Sequence, residues 1–379
     1  MRDEKMSEAT LPAWAEWTPS RPYTVGIEEE VMLLNPGDWS LAQRMESILP
    51  RLSPMLLSHV TAETHKAAIE LHTSPQPDVD GAVRELANAR AALASELSAC
   101  GLRAASSGTH PFTVWTETEV SSSARHQLVY ESMRELARRE PTFALHAHIG
   151  VADARSAITL YNRLRTHVPL LLALSANSPF WQGRDTGLAS ARTPIFQAFP
   201  RVGIPRPFAA YGDYAETVDQ LLRCKAFPEP TFLWWDVRPQ PQLGTVEIRV
   251  MDAQTSLDHT HGLAALVQTI AHLELEQGYH SEQLIQAVEI LDENRFLAAR
   301  DGMDAILIDP VVERRVPARE LLDQLLDAGR GHAQELGCED ALEVVAELSR
   351  ETGAVHQRKV AQVRPLLGLV ETLSGEFTA

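Results

Sequence analysis

Four short runs in this chain alternate polar pairs with apolar residues, and no other feature restricts its fold as strongly. The first is Thr24-Val25-Gly26-Ile27-Glu28-Glu29-Glu30-Val31-Met32-Leu33-Leu34. Alternate side chains of a strand share a face, so Glu28 and Glu30 point together. Val25, Ile27, Val31 and Leu33 point the other way, with Glu29 among them. Neighbouring carboxylates repel, and burial raises the cost of their charge. A cation relieves both, so the strand predicts a divalent-metal site. A solvated, charge-protected edge strand is the plain alternative.

The other runs repeat the pattern: Glu70 and His72 in AAIELHTSP, His146 and His148 in FALHAHIGV, Glu247 and Arg249 in TVEIRVMD. Each alone has an ordinary reading as a wet strand face, a hydrogen-bonded core histidine pair or a cross-strand ion pair. Together, in one sheet, they form a polar floor of carboxylates, imidazoles and an arginine. Hard carboxylate oxygens suit Mg²⁺ or Mn²⁺. An arginine among them is a fork for a phosphate or carboxylate.

Composition removes several classes. A net charge of −17 over 379 residues opposes nucleic-acid and anionic-membrane partners. Cys100, Cys224 and Cys338 are far apart, which gives no disulfide framework and no thiolate zinc site and sets the expectation of a cytoplasmic protein. No run approaches the ~18 apolar residues of a membrane span. GxxxxGK[ST], a strand-linked GxGxxG and GxSxG are all missing.

Periodicity predicts helices over 39–60, 78–101, 128–139, 153–176 and 213–224, with a mainly helical chain from 256 onward. Asp258 is the expected N-cap of a helix over 262–276. Residues 175–206 are expected to be an ordered functional loop. Residues 1–22 are expected to be a flexible leader, and 23–379 a single catalytic domain. His259 and His261, on a helix start, do not share a face and carry no site.

Several stretches, above all SANSPFWQGRDTGLASARTPIFQAFPRVG, WWDVRPQPQLGTVEIRVMDAQTS and TVGIEEEVMLLNP, with LHAHIGV and ETGAVHQRKV, resemble the second glutamate–cysteine ligase family of carboxylate–amine ligases. The resemblance implies an α+β, glutamine-synthetase-like fold, in which a curved, mainly antiparallel sheet forms a funnel with helices outside. It implies ATP-dependent activation of a carboxylate, typically the glutamate γ-carboxyl, as an acyl phosphate, then attack by an amine, with cysteine one option. It implies Mg²⁺, with Mn²⁺ possible in its place, small amino-acid and amine substrates, and a homo-oligomer, a dimer foremost. By position, Glu28, Glu30, Glu70, Glu247 and His148 correspond to metal ligands, and Arg249 and Arg184 to catalytic arginines. His146, Arg192, Asp236, Arg238 and Arg358 fall in nucleotide- or substrate-binding motifs. Two readings compete: a metal-dependent amidohydrolase built on His146 and His148, and a non-catalytic nucleotide-binding scaffold.

Overall fold

The polar-paired strands meet in one sheet. The computed structural model describes residues 11–139 and 141–378. In chain order the strands are β1 Val25–Leu34, β2 Val60–Ala62, β3 Ala68–His72, β4 Arg103–Ala105 and β5 Ala144–Gly150. Four two-residue strands follow: β6 Phe180–Trp181, β7 Arg184–Asp185, β8 Val202–Gly203 and β9 Trp234–Trp235. Then come β10 Val237–Gln240 and β11 Thr245–Asp252. The main sheet runs β10-β11-β5-β1-β3-β2, with β4 beside the end of β1, and its pairings are antiparallel. β1 is its axis, pairing with β5 through Val25–Glu29, with β3 through Glu28–Met32 and with β4 through Met32–Leu34.

Strand parity then divides the molecule. Val25, Ile27, Val31, Leu33, Leu71, Leu145, Ile149, Val246 and Ile248 are buried on one face. Three long helices, Val79–Ala99, Ala154–Ser175 and Leu257–Glu276, pack over that face. Each begins at a side chain that accepts an orphan N–H: Asp78 from Gly81, Asp153 from Ser156 and Ser256 from Asp258. The opposite face is polar up to Glu30. Beyond it, Met32 and Leu34 are covered by Leu369, Val370 and Leu373 of the C-terminal helix. This is the expected α+β arrangement, a mainly antiparallel sheet with helices outside.

Glu29 is the exception on the apolar face, and its partner is Arg90 of helix Val79–Ala99. Arg90 Nε donates to Glu29 Oε2 at 2.7 Å, and Nη2 donates to Oε1. The rest of the guanidinium donates to the carbonyls of Thr255 (2.8 Å), Phe377 (2.9 Å) and Gln254 (2.7 Å). Both side chains are completely buried. One arginine thus ties β1, the segment before helix Leu257–Glu276 and the C-terminal segment together.

Several expectations are corrected. The helix over 39–60 is instead two four-residue helices, Met45–Ile48 and Pro54–Leu57, a 3-10 turn at Leu49–Arg51, and the start of β2. Pro50 and Pro54 cannot continue a preceding helix, and each sits in the first turn of a new one. The helix expected from 128 starts at Ala124, where Ser123 caps it, and passes into a 3-10 turn at Arg134. Ser256, not Asp258, caps helix Leu257–Glu276. Residues 11–22 are not a loose leader: Ala15 is fully buried, Trp14 Nε1 donates to Asp219 (3.1 Å) and Trp17 Nε1 to the Val151 carbonyl (3.1 Å). Residues 1–10 lie outside the described residues. The three cysteines are unpaired, and among the described residues no helix is long and apolar enough to cross a membrane.

Candidate active site

Register converts the four sequence pairs into rows across the sheet. Arg238, Glu247, His148 and Gly26 are successive neighbours across β10, β11, β5 and β1. The next row is His146, Glu28 and His72. The third is Glu30, Glu70 and Thr61. Arg238, His146, Glu28, Glu30, Glu70 and Thr61 of these rows floor a cavity of about 530 Å³. Its polar wall includes Glu28, Glu30, Glu63, Glu70, His146, Arg192, Arg238 and Arg249, and its apolar wall includes Phe196, Phe199, Trp234, Val129 and Met133.

Glu28 sits between the histidines. His146 Nδ1 bonds its Oε2 at 3.2 Å, and His148 Nε2 lies 3.2 Å from its Oε1 without hydrogen-bond alignment. Burial opposes ionisation of Glu28, but the charge of His148 and the hydrogen bond to His146 outweigh it and hold the carboxyl well below its usual range. Burial also opposes charge on His148, yet Glu28 and then Glu247 raise it. His146 is lowered by burial and by the nearby Arg249 charge.

Glu247 is fully buried and accepts from Arg238 Nε (2.9 Å), Gln240 Nε2 (2.6 Å) and Arg249 Nη1. Against the desolvation cost, Arg238 and then Arg249 keep it ionised. Arg249 keeps its charge despite burial, chiefly through Glu247. Arg192 donates to the carbonyls of Val250 (3.0 Å) and Arg249 (3.2 Å), which fixes it at the cavity wall.

The acidic end lacks such relief. Glu70 accepts a bond from Thr61 Oγ1 at 2.8 Å, but burial and then Glu28, Glu63 and Glu30 push it well up. Burial and the charge of Glu30 push Glu63 up to about 8. Donor atoms of Glu30, Glu63 and Glu70 lie within 4.8 Å of one another, as do those of Glu28, Glu70 and His146, and of Glu28, His148 and Glu247. Carboxyls whose charge is opposed by burial and by one another, beside buried imidazole nitrogens of His146 and His148 that lack a hydrogen-bond partner, fit a site for divalent cations.

Of the residues singled out from sequence, Glu28, Glu30, Glu70, Glu247, His146, His148, Arg192, Arg238 and Arg249 converge here. Three do not. Arg184, in the β6–β7 hairpin, is exposed and off the cavity wall. Arg358 bonds Asp185 (2.9 and 2.8 Å) and the Leu188 carbonyl (2.9 Å), tying helix Gly353–Val363 to that hairpin. Asp236 is clamped by Arg295 Nε (2.5 Å) and Nη2 (3.2 Å), outside the cavity wall. Sequence reading missed Glu63, because residues 61–65 lay unassigned between the helix expected over 39–60 and the Glu70/His72 strand, so the β2–β3 hairpin went unseen. Thr61 faces Glu70 there, and Glu63 enters the connection.

The sheet and its outer helices form a fold shared with a solved glutamate–cysteine ligase. Glutamate–cysteine ligase from Francisella tularensis, crystallised with AMP, superposes with a TM-score of 0.67 at 13% identity, over 96% of this chain and 90% of that one. The bifunctional glutathione synthetase of Pasteurella multocida gives a TM-score of 0.70 at 13% identity, over 94% of this chain and 52% of that one. Sequence narrows the class. Residues 24–374 match the model of glutamate-cysteine ligase family 2, and the chain belongs to that family. Two proteins of Rubrobacter xylanophilus, provisionally named glutamate–cysteine ligase 2-1 and 2-3, are 40% and 38% identical. The matches cover 89% and 95% of this chain, and 90% and 98% of theirs. The antiparallel sheet is not the βα barrel that the amidohydrolase reading needs.

Proposed function

We propose that this protein is an ATP-dependent carboxylate–amine ligase that activates a carboxylate, the γ-carboxyl of glutamate foremost, and joins it to an amine, with cysteine one candidate. The observation carrying this reading is the convergence of Glu28, Glu30, Glu63, Glu70, Arg192, Arg238 and Arg249 on one cavity in a glutamate–cysteine ligase fold.

In this reading a carboxylate oxygen attacks the γ-phosphorus of ATP and ADP leaves. The amine nitrogen then attacks the acyl carbon, the carbon–oxygen bond to phosphate breaks, and the amine loses a proton. Glu28, Glu30, Glu63, Glu70 and His148 would hold Mg²⁺ or Mn²⁺. Bound there, the cation supplies charge that offsets the negative phosphates. Arg249, oriented by Glu247, presents a guanidinium to the transferring phosphoryl group. Arg238 fixes Glu247 by a two-point contact, and so fixes Arg249 through it. Arg192 is held by main-chain carbonyls and adds positive charge beside the substrate. Phe196, Phe199 and Trp234 offer flat apolar surface to the rest of a nucleotide or substrate.

The test is ADP release measured with glutamate and a panel of amines. Release that requires both substrates and vanishes in folded Glu28→Gln supports the reading. Amide hydrolysis without ADP would overturn it.

A further inference from the structure

Helix Ala154–Ser175 packs on β10 and β11 and also carries His167 into a second cluster, away from the carboxylate floor. His167 Nε2 lies 2.6 Å from Glu274 Oε1, and His280 Nδ1 lies 3.3 Å from the same oxygen. One donor atom from each residue lies within 4.8 Å of the others. His167 and Glu274 are buried, and the cluster borders a separate cavity of about 340 Å³ walled by Tyr279, Leu284 and Leu325.

We infer that His167, Glu274 and His280 form a second metal site, for a borderline transition ion of the Zn²⁺ class, with one coordination position open to this cavity. Two imidazoles and one carboxylate are a donor set that leaves zinc such a position. The 3.3 Å edge between His280 Nδ1 and Glu274 Oε1 is that of a tetrahedron with bonds of about 2.0–2.1 Å. The His167 edge, now closed by a hydrogen bond, needs to widen by only about 0.7 Å on the same bond lengths.

The surroundings prepare the carboxylate. Arg163 Nη1 lies 3.1 Å from Glu274 Oε2 and 3.0 Å from the His280 carbonyl, so it orients Glu274 and anchors the histidine's backbone. Oε1 is left to face the imidazoles. The guanidinium also cancels much of the carboxylate's charge. A hard ion bound only by oxygen gains little from such a site, whereas an ion that accepts imidazole nitrogen keeps two of its three donors at full strength. Thr166 Oγ1 lies 2.5 Å from His280 Nδ1 and must turn aside, retaining its bond to the Arg163 carbonyl at 2.6 Å.

The full-length, metal-stripped protein is titrated with Zn²⁺ and, separately, with Co²⁺ as a spectroscopic probe. Wild type and Glu28→Gln are expected to bind one Zn²⁺ equivalent that His280→Gln loses. The visible absorption of tetrahedral Co²⁺ should vanish in His280→Gln alone. Unchanged stoichiometry in His280→Gln, or a spectrum lost only in Glu28→Gln, overturns the assignment. In wild type, saturating Zn²⁺ should also protect His280 from diethyl pyrocarbonate; equal labelling with and without Zn²⁺ overturns it even if the variant fails to fold. These readouts are of metal, not turnover, so they stand apart from the ligase reading.

Discussion

Replacing Arg90 by Met tests how β1 is held in place. The substitution keeps an apolar stem but leaves Glu29 charged, fully buried and without its guanidinium. Removing one partner of a buried ion pair costs about 3–5 kcal/mol, and this site should lie at the upper end of that range. The reason is that three carbonyls, of Thr255, Gln254 and Phe377, lose their donor as well, at about 1 kcal/mol or more for each that water cannot reach. The measurement is the unfolding free energy from urea titration of wild type, Arg90→Met and Arg90→Met/Glu29→Gln. The double variant removes the stranded charge and should recover at least about 1 kcal/mol of the loss. A single-variant loss below about 1 kcal/mol, or a double variant no more stable than the single, would show that Arg90 does not hold β1 through Glu29. Glu28 and Glu30 flank Glu29, so activity should fall with the stability.

Three other outcomes follow from the same structure. His110 is buried; its Nε2 bonds the Trp39 carbonyl (2.8 Å) and its Nδ1 accepts from Thr113 N (3.0 Å), so no room remains for a second ring proton. Burial pushes it down from 6.5 to about 4, so its contribution to stability is complete above pH 6.5 and is lost as pH falls towards 4. His110→Gln should flatten the stability-versus-pH curve in that window, and an unchanged acid limb contradicts this. Arg249→Lys keeps the charge beside Glu247 but loses the fork, so kcat should fall on the order of 10²–10³-fold in stopped-time ADP assays; near-normal turnover would remove Arg249 from the chemistry. Arg184→Ala should change kcat/KM by less than about threefold, because an exposed surface substitution far from such a feature changes little; a larger loss would show that the β6–β7 hairpin reaches the substrate.

How much was readable from sequence depended on how local the signal was. Strand parity is a period of two, so the shared face of Glu28 and Glu30 and the burial of Val25, Ile27 and Leu33 followed from spacing alone. So did the His146–His148 and Glu247–Arg249 pairs. What failed depends on distant partners. Arg90 lies 61 residues from Glu29, in a helix whose other face is ordinary, and nothing in its surroundings marks it. Leu41, Met45, Ile48 and Leu52 recur at helical spacing, although Pro50 and Pro54 break the chain into short turns, and Glu63, just beyond, has no periodic neighbour to mark its strand connection. Arg184 shares a motif-rich stretch with the cavity residues Arg192, Phe196 and Phe199, and Arg358 falls in another matching stretch, but motif membership does not give direction. The β6–β7 hairpin turns at Gly183, whose φ of +79° suits glycine, and carries Arg184 away from the floor, while Arg358, on helix Gly353–Val363, is held by Asp185 of that hairpin.

In the proposed reaction a carboxylate is activated by phosphorylation in the Glu28–Glu70 cavity. Its most direct test follows heavy oxygen from a glutamate γ-carboxylate during turnover with ATP and an amine. Transfer of one labelled oxygen into inorganic phosphate, lost in Glu28→Gln, is the predicted result. Amide product formed with the phosphate unlabelled would contradict the account.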